Sequence, residues 1–84
     1  MSIEQAVAIT AKLYEVRKCV QDLYGAAWRG RLQPYLTELE RIHNASGVPY
    51  LELGQQLARE MQSQGINPMM VLAAMVEILE PTQA

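Results

Sequence analysis

Eighty-four residues leave room for one domain with one modest core, and half of them are hydrophobic although Phe is absent. The formal charge of −2 removes any global pull toward nucleic acid or an anionic membrane. The single cysteine, Cys19, excludes an intramolecular disulfide and a cysteine metal cluster, and no apolar run reaches the roughly 18 residues that a bilayer span requires.

The first ten residues carry no basic stretch ahead of an apolar one, so a secretory signal is not expected and the cytoplasm is the expected compartment. Ser2 and Gln5 read as a capping box that opens the first helix. Ile9, Leu13, Val16, Val20, Leu23 and Ala27 then recur in steps of four and three, with Ala6, Val7 and Tyr14 widening the seam. Lys18 and Asp22, four residues apart, are expected to pair on the wet face. Cys19 reads as a small, half-buried hydrophobe of this helix.

Gly25 and Gly30 weaken the helix after Tyr24, and Pro34 is the stronger stop because it restricts Gln33 before it. A second helix is predicted from Pro34, with Leu36, Leu39 and Ile42 inward and Glu38 and Arg41 together outward. Asn44 to Gly47 supply a turn in which Gly47 takes a positive φ. The third helix opens at Pro49, buries Tyr50, Leu53, Leu57 and Met61, and closes on Gly65 in the left-handed conformation.

The last helix organises the others. Ten of the twelve residues from Met69 to Glu80 are apolar, Asn67 is a good cap, Pro68 suits a first helical position and Pro81 forbids continuation. A helix apolar nearly all round is buried on most sides, and only the strip Ala73, Glu77 and Glu80 is left to meet water. No period-two strand pattern occurs. The expected fold is therefore all-α, a single domain of about four helices near 2–24 (weakening toward 30), 34–45, 49–64 and 68–80.

Chemistry is sparse. His43 is the only histidine, and no neighbouring nucleophile and acid complete a triad. The carboxylates show no metal spacing and no Gly-rich phosphate loop is present, so neither a metal, a cofactor nor an enzyme is expected. The two final helices outline a helix-turn-helix, but a recognition helix needs cationic and amide side chains, and residues 68–80 have none.

Two surfaces stand out as partner sites. Trp28, Arg29, Arg31 and Tyr35 are residue types that anchor protein interfaces. Met69, Met70, Leu72, Met75 and Val76 belong to a perimeter that three short neighbours leave partly uncovered, which points to a two-fold homodimer or another interface. The expected function is a small non-catalytic interaction module, a regulator or inhibitor that blocks or bridges another protein. Accessory proteins of phages and mobile elements are often of this kind. The alternative is a nucleic-acid-binding regulator that uses Lys12, Arg17, Lys18, Arg29 and Arg31, five cations set against Glu15 and Asp22 between residues 12 and 31.

Overall fold

A computed structural model describes residues 3–82, with side-chain surroundings from residue 11 onward. Ser2, and the side chains of Gln5, Ala6, Val7 and Ile9 that carry the capping box and the start of the seam, lie outside the described residues. Four α-helices follow one another: α1 (Ile3–Tyr24), α2 (Trp28–Ser46), α3 (Tyr50–Ser63) and α4 (Met69–Leu79). One 3₁₀ turn, Gly25–Ala27, joins the first two. The described residues contain no strand, and the all-α bundle is the observed architecture.

The boundaries follow backbone chemistry at three glycines. Gly25 (φ 57°) ends α1, because a left-handed residue cannot continue a right-handed helix. Gly47 (φ 73°) ends α2, and its N–H reaches the His43 carbonyl at 2.7 Å. Gly65 (φ 76°) follows α3 as the centre of a Schellman turn. There the Ile66 N–H bonds the Met61 carbonyl at 2.8 Å, and the Gly65 N–H bonds that of Gln62 at 3.1 Å. Asn67 caps α4 by accepting the Met69 N–H on Oδ1 at 2.9 Å.

The start of α2 differs from expectation. The helix begins at Trp28 and carries Pro34 inside it, so residue 34 is not a boundary. Proline removes the bond to the carbonyl four residues back, here that of Gly30. Both Gly30 and Pro34 are exposed, so water can satisfy that carbonyl, while Leu32 and Leu39 on the opposite face are fully buried. Burial of those two leucines outweighs the local penalty.

Half of the ten buried core residues come from α4, namely Val71, Ala73, Ala74, Met75 and Val76. α1, α2 and α3 each pack on it, and among the described residues no Cα of α1 comes within 8 Å of one in α3. The expected wet strip of α4 is mostly dry: Ala73 is fully buried and Glu77 nearly so, leaving Glu80 exposed. Small Ala73 and Ala74 allow neighbouring backbones to come close. α3 and α4 approach closely at Gly54, where a Cβ would lie 2.8 Å from Met75 Cγ and 2.9 Å from its Cβ.

α1 turns a different face inward than the heptad count implies. Val20 is buried, and Leu13, Val16 and Tyr24 pack against the core, whereas Leu23 is 64% exposed and Ala27 lies on the surface. A regular helix drifts relative to a strict seven-residue seam, which brings Tyr24 inward in place of Leu23. Cys19 is exposed rather than half-buried. Lys18 and Asp22, both exposed, make no ion pair with one another.

Candidate functional site

Glu77 is the centre of the main polar cluster. Its carboxylate meets Arg17 of α1 at 3.3 Å and Arg29 of α2 at 3.7 Å, with the Glu77 side chain 11% exposed. The same carboxylate accepts the backbone N–H and the hydroxyl of Thr82, each at 2.9 Å. Arg17 also donates to the Glu80 carbonyl and Arg29 to the Thr82 carbonyl. One carboxylate thus ties α1, α2, α4 and the segment after α4 together. Every buried side-chain polar atom among the described residues has a partner, so this cluster is a filled structural joint rather than an open receptor.

The four expected anchors are turned to different neighbours. Trp28 is half-buried against the core, with the Arg29 guanidinium 5.5 Å from its ring centroid. Arg29 itself is committed to Glu77 and Thr82. Arg31 lies over the Tyr24 ring at 5.3 Å. Tyr35 faces α3, where it lines a recess of about 190 Å³ with Glu38, Leu39, Leu57, Met61 and Val71. At the other expected interface, Met75 (0% exposed) is a core residue that offers nothing to a partner, and Val76 (4%) is buried except where it lines the groove described below. The reason is that α1, α2 and α3 cover more of α4 than their lengths suggest. Met69, Met70 and Leu72 are half-buried and packed on that core.

Open apolar surface lies instead between α1 and α3, whose described backbones stay more than 8 Å apart between Cα atoms. A groove of about 190 Å³ there is lined by Leu13 and Tyr14 of α1, Leu51 of α3, Val76 and Leu79 of α4, and Glu80. Tyr14, Leu51 and Leu79 stand 38%, 46% and 47% exposed. Leu51 was legible as an apolar residue off the buried stripe of its helix. Leu79 was hidden inside a run of apolar neighbours, where nothing local marks the exposed side.

The remaining candidates are accounted for locally. His43 stacks on Tyr50 with ring centroids 4.0 Å apart, and its Nδ1–H donates to the Val48 carbonyl at 2.7 Å. A carbonyl only accepts, so Nδ1 carries the proton. Ser46 Oγ donates to the Ile42 carbonyl at 2.7 Å and accepts the Val48 N–H at 3.3 Å. Both side chains close the α2–α3 turn. Of the five cations between residues 12 and 31, Arg17 and Arg29 are matched by Glu77, which leaves Lys12, Lys18 and Arg31. Among the described residues no helix is long and apolar enough to cross a membrane. Compared with known protein families, curated proteins and solved structures, the chain matches none.

Proposed function

We propose that this chain is a small non-catalytic protein–protein interaction module, a regulator that acts by occupying, blocking or bridging its target. The observation that carries the reading is the open groove between α1 and α3, apolar along its length except for Glu80. Contiguous apolar surface flanked by polar residues is the usual mark of an interface. The homodimer expected from the sequence belongs to this reading, with the docking face moved from residues 69–76 to the groove. So does the cytoplasm: a lone exposed thiol such as Cys19 suits a reducing compartment.

The non-catalytic reading rests on His43 being spent on a turn. The nucleic-acid alternative is weakened, because two of the five cations assigned to it, Arg17 and Arg29, are engaged by Glu77, whose single charge offsets one of them. Were it right, affinity for DNA or RNA would fall steeply from low to moderate salt. A photo-crosslinking residue in place of Leu51, expressed in the host cell, tests the module directly. Adducts with a defined protein species are expected, and Leu79→Glu should abolish them. A position 51 that captures no protein at all would remove the reading.

A further inference from the structure

We infer that Arg17 is the positioning residue of the α1–α3 groove, holding its α1 wall and its acidic end in one fixed relation. The inference rests on the groove being a docking face, and it names the side chain that shapes that face. Leu13 and Tyr14, which line the groove, lie four and three residues before Arg17, so all three share one side of α1. The Arg17 guanidinium lies over the Tyr14 ring, 5.2 Å from its centroid. A cation in that place is attracted to the ring face, which keeps Tyr14 in the wall.

The same guanidinium reaches the opposite end of the groove. Its Nη1 meets Glu77 at 3.3 Å and also donates to the Glu80 carbonyl. Glu80 has left helical geometry, with φ −134° and ψ 78°, and a helix end leaves such a carbonyl without an intrahelical donor. Its N–H still bonds the Val76 carbonyl at 2.7 Å, so the Arg17 bond is the tie that sets where the chain turns away. Glu80 is the only charged residue in the groove lining, and its carboxylate is placed by that turn.

Arg29 supplies the contrast. It meets the same Glu77 carboxylate, but its other neighbours, Trp28 and the Thr82 carbonyl, line no part of the groove. Its side chain is 50% exposed, against 15% for Arg17. Lysine is no substitute at position 17, because an ammonium is a compact point charge. A planar guanidinium lies on a ring and donates from its edge at once.

NMR relaxation of the full chain tests this without any partner, comparing wild type with Arg17→Met, Arg17→Lys and Arg29→Met. The Glu80 N–H should show an order parameter near the rigid value of about 0.85 in wild type and below about 0.6 in both Arg17 variants. The Tyr14 ring and Leu79 methyl resonances should shift in the same two variants. Arg17→Lys keeps a charge beside Glu77, so circular dichroism should report unchanged helicity there. Arg29→Met should loosen Thr82 and leave Glu80, Tyr14 and Leu79 as they are. Adducts captured through position 51 should be lost with Arg17→Lys and kept with Arg29→Met. A Glu80 that stays rigid in both Arg17 variants would overturn the inference, as would equal loosening by Arg29→Met or adducts indifferent to position 17. A wild type that captures no protein, while Glu80 still depends on Arg17, would remove the docking face and keep the positioning role.

Discussion

Gly54 and Met75 occupy one volume. Overpacking a well-filled core costs about 1–3 kcal/mol, so Gly54→Ala should lower stability in urea unfolding by that amount. Met75→Ala should cost about 2–5 kcal/mol through the cavity that it leaves. The double variant should be more stable than the sum of the two, because each change relieves the other's defect. Glu77→Gln addresses the other close-knit site. It leaves Arg17 facing a neutral amide at 15% exposure, and hydrogen bonds to charged groups contribute about 1.5–3 kcal/mol. A fall in melting temperature is expected, with faster amide exchange at Thr82, whose N–H loses its ionised acceptor. Glu38 and Arg41 are a contrasting pair, 2.5 Å apart but exposed. The hydrogen bond from Arg41 holds the Glu38 carboxyl below its ordinary value. The pair's contribution is therefore present above the ordinary carboxylate range and is lost as pH falls through the lowered value. Arg41→Ala should move the Glu38 titration upward by NMR and leave the unfolding midpoint unchanged, since both groups lie in water.

Glycines of one residue type have opposite roles in neighbouring elements. Gly25 and Gly30 both have open space around a notional Cβ, but only Gly25 has a positive φ. Gly25→Ala should destabilise by about 1–2 kcal/mol, and Gly30→Ala, inside α2, should stabilise by roughly 0.5–1 kcal/mol. Thermal unfolding of the two variants side by side checks the sign. What the sequence made legible at this scale were the local stops: Gly47, Gly65 with its Schellman bonds, and the Asn67 cap all depend on residues within one turn. The outward Glu38–Arg41 pair was legible for the same reason. Pro34 was not, because its cost is offset by Leu32 and Leu39 meeting other helices. Glu77 was placed in water because its two arginines are 60 and 48 residues away in the chain. The exposure of Leu79 was equally hidden, since it follows from the gap between α1 and α3 and not from its apolar neighbours in sequence, whereas Leu51 stood visibly off the buried stripe of its own helix.

At the scale of the molecule, the apolar run at 69–80 correctly announced a central helix that the others enclose. It did not announce how completely they would do so, because small Ala73 and Ala74 let neighbours come nearer than larger side chains would. Met75→Asp should therefore abolish the cooperative transition by circular dichroism, as an unpaired carboxylate in a dry core costs several kcal/mol against a total of about 5–15 kcal/mol. The order of the elements adds a consequence for biosynthesis. Val20, Leu32, Leu39 and Leu53 are all translated before the helix against which they are buried. Ribosomes add about 5–20 residues per second, so each nascent chain spends seconds with three amphipathic helices and no centre. During that interval the apolar faces of the three earlier helices lack their central partner within the bundle, and their burial waits on the synthesis of residues 69–79.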